Sequence, residues 1–495
     1  MLVHKYMMKV VSNVVSAVAS FLSLMFMTRY VGLEYGSMMW GWAFVAMFNA
    51  VVGLGFETAH IRFIASGRNQ DKCFSTYLAI RISLTSLMVV LTIVSLAVGI
   101  YDGTIDRGLA AVVLIFVAYY AIWDIQNALT ATFDGRLESG KSSIVNMADA
   151  IIRSAILISL ALMQVSATVL SSAYVIGIVA SASVALVLAR NMKIRLVRPT
   201  MFREYLSFAA PLIISSLFLT VLDFVDKVMI GLSGSTLEVG YYTAAMGVAF
   251  VFISLGGSLN NVILPQLSKP ETVRTPSKME GLIWMSQKYL MMFLFPVMVV
   301  LMVFGEEIGG VLFGAGYSKA GTILSILSVT MTLRVLAGTL TQVLYASNRA
   351  ALYTKASIVY AAVVASMFVL LIPNTGILPW DGLYGVGAAI SLAIGYVVLT
   401  VVLLYYVRRA TGIRPYKNIW KHLLSLAVTA AALVAVDTAF EITGLLEVAS
   451  VSLLGLLVYA ACLTALRELL RSDISFFMNA INLKQIKDSL DDELR

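Results

Sequence analysis

Apolar residues run in long blocks along this chain, and polar residues are confined mostly to short interruptions between them. A block of about 20 apolar residues is what an α-helix needs to cross a hydrocarbon core. Such blocks fall near 9–31, 36–56, 75–100, 108–132, 143–164, 167–189, 205–232, 239–263, 284–304, 320–346, 353–372, 383–407, 419–437 and 445–466. The pattern predicts an all-α membrane protein with about 14 transmembrane helices. Most connections are short, so neighbouring helices run antiparallel. The first block is long enough to span, and reads as a true first helix rather than a cleavable leader.

The charges orient these spans. Basic residues cluster after the sixth span (Arg190, Lys193, Arg195, Arg198, Arg203) and after the twelfth (Arg408, Arg409, Arg414, Lys417, Lys421). The alternate loops carry Asp102, Asp106, Glu238, Glu306, Glu307, Asp381, Asp437, Glu441 and Glu447. By the positive-inside rule, the basic loops and both termini lie in the cytoplasm of a multi-pass plasma-membrane protein.

Composition agrees with the pattern. Hydrophobic residues make up 60% of the 495 and charged residues 13%, with mean hydropathy +0.91. Soluble domains run nearer 45–50% and about 25%. Topology accounts for the net charge of +8, so nucleic acid is not expected as a partner. Cys73 and Cys462 cannot form a disulfide framework. His4, His60 and His422 are scattered near cytoplasmic ends without metal spacing. Neither a G-x-x-x-x-G-K-[ST] loop nor an H-E-x-x-H motif occurs. The chain therefore reads as a non-enzyme without cofactor or metal.

The basic loops divide the chain into an N-terminal six-helix lobe (1–200), a C-terminal six-helix lobe (201–412), an added helix pair (413–466) and an amphipathic cytoplasmic tail (467–495). Sliding the sequence by 204 residues sets Leu33, Glu34 and Gly36 on Leu237, Glu238 and Gly240. An even number of spans per repeat makes the repeats parallel. Parallel repeats build transporters whose substrate path lies between the halves.

Three stretches carry a family resemblance. Residues 223–245 read DFVDKVMIGLSGSTLEVGYYTAA, residues 312–328 read LFGAGYSKAGTILSILS, and residues 371–390 read LIPNTGILPWDGLYGVGAAI. The order of an acidic span seven, Gly240-Tyr241-x-x-Ala244, Leu312-Phe313-Gly314, and Gly385 with Gly387 resembles one branch of the multidrug/oligosaccharidyl-lipid/polysaccharide flippase superfamily, the polysaccharide transporters. The insert at 377–381 departs from that pattern. The resemblance covers roughly residues 1–412. It implies two lobes around a central cavity that flip a polyprenyl-linked oligosaccharide between leaflets by alternating access. It also implies ion coupling to H+ or Na+, a single-chain working unit among membrane lipids, and glycan-assembly proteins as partners. The added helix pair, as in the lipid II flippases, would offer a groove for the lipid tail. Two alternatives remain: a cation-coupled multidrug exporter of the same superfamily, and a non-transporting scaffold for glycan assembly.

Charges within the spans are costly and so mark candidate sites. Asp124 in span four lies at the same depth as Arg153 in span five, and Asp149 is one turn from Arg153. The expectation is an Asp124–Arg153–Asp149 cluster, either a structural ion pair or a coupling site. In span seven, Asp223 and Lys227 are spaced to pair, which leaves Asp226 needing another partner. Arg334 in span ten either offers its fork to pyrophosphate oxygens or pairs across helices with Asp223. Arg29 ends span one, where it either binds substrate or snorkels to headgroups. The amides Asn13, Asn49, Gln126, Asn127, Asn146, Asn260, Asn261 and Gln342 read by default as interhelical glue, with the lining of a sugar pathway as the alternative. Trp40, Trp42, Tyr241 and Tyr242 read as an aromatic belt in preference to a sugar stack, and Pro211 and Pro296 as kinks.

Overall fold

The computed structural model describes residues 2–53, 55–192, 194–273, 275–373, 382–440, 442, 444–470 and 473, with the side chains at 2–7, 10, 191, 211–219, 254–263, 265, 270 and 273 left undescribed. The insert at 377–381 and nearly all of the tail beyond 470 lie outside the described residues, as do the side chains of His4, Pro211, Asn260 and Asn261.

Among the described residues the chain is all helical. Residue contacts divide it into two units, Met1–Gly240 and Tyr241 onward. The first contains α1 (Leu2–Tyr30), α2 (Gly32–Gly53), α3 (Phe56–Ala65), α4 (Gln70–Tyr101), α5 (Arg107–Gly135), α6 (Ser139–Leu162), α7 (Ala167–Ala189) and α8 (Phe202–Ser233). Helix α9 (Thr236–Leu267) begins in the first unit and continues into the second. There follow α10 (Pro270–Val273), α11 (Pro276–Val303), α12 (Gly305–Phe313), α13 (Ser318–Ala346), α14 (Ala350–Leu371), α15 (Tyr384–Thr411), α16 (Ile419–Ala439) and α17 (Leu445–Ala465).

Thirteen of these helices, among the described residues, are long and apolar enough to cross a bilayer. Helix α8, 32 residues long, coincides with the seventh predicted span. The many exposed Leu, Val and Ile side chains on these helices, such as Val90, Val94, Leu186 and Val401, fit a lipid-facing surface. Three short helices, α3, α10 and α12, occupy stretches the apolar pattern leaves as connections. Helix α3 resumes after a break in which Gly55 takes φ +80°, a left-handed conformation that suits glycine. Helix α12 ends at Gly314, φ +96°, in the Leu-Phe-Gly motif.

Local chemistry sets the helix ends. Asn69 accepts from the Lys72 N–H to start α4, and Asp106 accepts from the Leu109 N–H to start α5. Pro296 sits inside α11, which continues through it to Val303.

Glycine sets the closest crossing in the first unit. A Cβ on Gly36 would stand 2.0 Å from the Thr236 carbonyl oxygen and 3.2 Å from the Gly240 nitrogen. The Ser37 and Thr236 hydroxyls meet there at 2.9 Å. The two copies of the Leu-Glu-x-Gly motif are thus in contact, and glycine is the residue that permits it.

Trp40 and Tyr242 do not form an interfacial belt. Trp40 is 1% exposed on α2 and donates its indole N–H to the Val228 carbonyl of α8 at 3.3 Å. Tyr242 is fully buried, and Tyr241 meets Tyr317 edge-on. An indole placed at a helix start satisfies its N–H as well against a neighbouring backbone as at a headgroup.

Candidate functional site

The polar residues of the first unit fall into three groups. The first is centred on Arg81 of α4, which the sequence reading passed over. Arg81 is 1% exposed. Its Nε donates to Tyr77 Oη at 2.8 Å, and Nη1 to Asp124 Oδ1 at 3.1 Å. Nη2 donates to Asn127 Oδ1 at 3.0 Å and to Glu57 Oε2 of α3 at 3.2 Å. Thr85 donates to the other Asp124 oxygen at 2.8 Å. Asp124 therefore pairs with Arg81, which corrects the expected Asp124–Arg153 pairing. Equal depth fixes height but not azimuth. Asp124 faces α4, whereas Gln126, about 200° further round α5, faces α7 and accepts from Ser181 at 3.0 Å.

The Arg81 group continues into a second layer. His60 of α3 stacks on Tyr77, with ring centres 4.3 Å apart, and bonds Tyr205 Oη at 2.8 Å and Thr132 Oγ1 at 2.9 Å. Burial, with Arg81 nearby, pushes His60 down to about 3, so the ring is neutral at physiological pH. Tyr205 of α8 also donates to the Cys73 carbonyl. Together these bonds tie α3, α4, α5 and α8 together at one end of the unit.

The second group lies on α6. Arg153 Nε donates to Asp149 Oδ2 at 3.2 Å, the one-turn pair the spacing predicts. The guanidinium also covers the Tyr174 ring at 4.8 Å. Gly177 of α7 makes room, because a Cβ there would stand 2.9 Å from the Arg153 Cβ and 3.1 Å from Asp149 Oδ1. This pair borders a cavity of about 240 Å3 lined mainly by polar groups, among them Asn13, Ser16, Gln126 and Asn146. A cavity of about 370 Å3 lies between α2, α5 and α8, faced by Trp42, Tyr119, Tyr120, Trp123 and Phe224, with Asn49 at its wall. Trp123 lines both. Asn13, Asn49, Gln126 and Asn146 thus border internal space, the placement that the alternative reading as pathway lining requires.

The third group is on α8. Lys227 Nζ donates to the Asp226 carboxylate at 3.0 and 3.3 Å, and to the Asp223 backbone carbonyl at 2.6 Å. The pair is Asp226–Lys227 rather than Asp223–Lys227. Asp226 and Lys227 are buried, and the Asp223 side chain is exposed. Arg29 is exposed at the end of α1. In the second unit, Arg334 is half-buried on α13, with its guanidinium 5.8 Å from the Tyr396 ring centre.

The added pair α16–α17 packs on α11 of the same unit. Glu468 receives bonds from Tyr416, from Asn418 at 2.9 Å and from Lys421 at 2.9 Å. Asp473 receives Lys288 at 2.7 Å and Tyr289 at 3.1 Å. Burial alone would raise both carboxyls, but these donors outweigh it and hold them below the usual range.

Comparisons with known proteins agree with this architecture. A family described as polysaccharide biosynthesis protein matches residues 2–271, more than half of the chain. The probable low-salt glycan biosynthesis flippase Agl15 of Haloferax volcanii is 23% identical over 488 residues, covering 96% of this chain and 98% of its own. Among solved structures, the lipid II flippase MurJ in an inward closed conformation superposes with TM-score 0.75 at 12% identity, covering 92% of this chain and 98% of its own. An inward-facing multidrug resistance MATE family transporter of the MOP superfamily gives TM-score 0.60 at 13% identity, covering 80% and 94%.

Proposed function

Since the chain belongs to the polysaccharide biosynthesis protein family, we propose that it is a flippase and not an enzyme, moving a polyprenyl-linked oligosaccharide from the inner to the outer leaflet. The observation that carries this reading is the end-to-end relation to a glycan biosynthesis flippase, which includes the added helix pair. The internal polar space of the first unit supports it. Amides, hydroxyls and an ion pair in a bundle that presents Leu and Val to lipid are what a hydrophilic headgroup requires, since polar groups within spans are retained where they face a cavity.

The sugar headgroup moves through the interior by alternating access while the lipid tail stays in the bilayer, with α16–α17 beside its path. The chain works as a single copy in the plasma membrane, with both termini cytoplasmic as its loop charges dictate. Transport is coupled to H+ or Na+. The Asp149–Arg153 pair, which borders the polar cavity, and the buried Asp226–Lys227 pair are the coupling candidates. Arg29 and Arg334 are the candidates for the pyrophosphate. Asp124 is structural in this account, because Arg81 and Thr85 already satisfy it.

Likeness to the multidrug transporter fold favours the exporter as the second reading. Deleting the gene separates the two. A flippase leaves lipid-linked precursor accumulating on the inner leaflet and surface glycan lost. An exporter leaves glycan intact and cells drug-sensitive.

A further inference from the structure

The connection between α7 and α8 is a strap rather than a loose loop. Residues 194–201 are non-helical and cross the first turns of α4. Three of their backbone N–H groups donate to side chains there: Arg195 to Asp71 at 3.0 Å, Val197 to Ser75 at 2.9 Å and Met201 to Thr76 at 3.3 Å. Met201 is buried beside Cys73, and Tyr205 ties the first turn of α8 to α3 and α4. The backbone is thus fixed, and the side chains it carries are left outside. Leu196 is 73% exposed, and Phe202 and Leu206, one turn apart on α8, are 46% and 56% exposed. Arg195, Arg198 and Arg203 are exposed among them. The neighbouring acids are already engaged, Asp71 by the Arg195 N–H and Glu204 by Arg68. Among the described residues, none of the three arginines has an acidic partner.

Helix α4 sets the level of the strap. Its 32 residues, at roughly 1.5 Å each, make a rod of about 48 Å, against about 30 Å for the hydrocarbon core. The apolar stretch of α4 begins near residue 75, so the excess length lies at its first turns. Those turns stand in the headgroup layer, and the strap crosses them there. Three large apolar side chains at that level are better covered by acyl chains than by water. Guanidinium groups beside them match phosphate oxygens, which accept in the geometry of the fork. A soluble acidic partner would have to enter the headgroup layer to reach the same residues.

The geometry points to the strap as an interfacial docking surface for acidic phospholipids. Leu196, Phe202 and Leu206 enter the acyl layer, and Arg195, Arg198 and Arg203 hold lipid phosphates. On the topology proposed above this is the cytoplasmic leaflet, whose surface is negative. The docking goes beyond the flippase reading and holds whatever the chain transports.

The test attaches a fluorophore at Leu196→Cys, in a Cys462→Ala background with Cys73 buried. The full chain is reconstituted in vesicles of equal parts phosphatidylcholine and phosphatidylglycerol, with bromine on the acyl chains of one lipid at a time to quench on contact. Both brominated lipids should quench, and brominated phosphatidylglycerol more strongly. Each arginine near the surface gives about a fivefold preference. Arg195→Gln, Arg198→Gln and Arg203→Gln should each lower the relative association of phosphatidylglycerol by about that factor, and in the triple variant the two lipids should quench alike. Lysine at the same three positions should retain the preference, which guards against a strap that merely misfolds. Arg408→Gln with Arg414→Gln, in the other basic loop, should leave it unchanged. Absence of quenching by either lipid would overturn the insertion. Equal quenching in the chain with its arginines intact, a preference that survives in the triple variant, or its loss to inorganic phosphate at constant ionic strength would overturn the headgroup docking. Surface glycan in deletion cells tests the flippase reading separately.

Discussion

Replacing Arg81 by Met removes the charge at the centre of the first unit and little volume. Its four hydrogen bonds are unequal. Glu57 is 43% exposed at its side chain, so its share is that of a surface pair, about 0–1 kcal/mol. Asp124 is fully buried and would be left with neutral partners such as Thr85 in place of its guanidinium. Removing one partner of such a pair costs about 3–5 kcal/mol. The expected order of thermal-unfolding midpoints in detergent is therefore wild type, then Glu57→Gln close behind, then Asp124→Asn, then Arg81→Met. Asp124→Asn ranks above Arg81→Met because its amide oxygen can still accept from Arg81 while its NH2 donates to the Thr85 hydroxyl. Adding Asp124→Leu to Arg81→Met should recover a large part of the loss, because the stranded carboxylate goes with it. A double variant no more stable than Arg81→Met would refute the reasoning, as would a Glu57→Gln loss equal to that of Arg81→Met.

Further outcomes follow from the same geometry. Gly36→Ala puts a Cβ against the Thr236 carbonyl and should cost about 1–3 kcal/mol, the range of overpacking, read as a lowered unfolding midpoint. Gly281→Ala on α11, where a Cβ meets open space, should instead gain up to about 1 kcal/mol from helix propensity. Glu468 and Asp473 have depressed folded pKa values, so their stabilisation is complete above their unfolded values, about 4.3 and 3.9, and is lost as pH falls through the folded ones. A midpoint-against-pH curve should fall on the acid side of that point, and Glu468→Gln should flatten it. Gly177→Val should disturb the Asp149–Arg153 pair and reduce transport more than abundance, measured as surface glycan per unit of membrane protein.

The spans were legible because lipid imposes one requirement everywhere, a run of about 20 apolar residues. The short helices α3, α10 and α12 were not, because none is long enough to register as a block. The Asp149–Arg153 pair was legible because both residues lie on one helix at one-turn spacing. The partner of Asp124 was not, because it lies on another helix and sequence separation carries no azimuth. A signal for Arg81 did exist. Cys73, Tyr77, Arg81 and Thr85 recur every four residues and form the buried face of α4. Six residues inside the edge of its span, an arginine can equally reach the headgroups, so the pattern alone does not mark Arg81 as buried. Asn49 and Trp123 could be found as polar or aromatic residues within spans, but only the fold shows that they border internal space.

The central claim is that this chain moves a lipid-linked glycan across a membrane. Its most direct test is reconstitution of the purified chain into vesicles carrying the host's lipid-linked oligosaccharide, with accessibility of the glycan to a membrane-impermeant lectin followed over time. The account predicts that lectin-accessible glycan rises beyond the outer-leaflet fraction only in vesicles holding the chain. An accessible fraction that stays at the level of protein-free vesicles, with and without an imposed H+ or Na+ gradient, would contradict it.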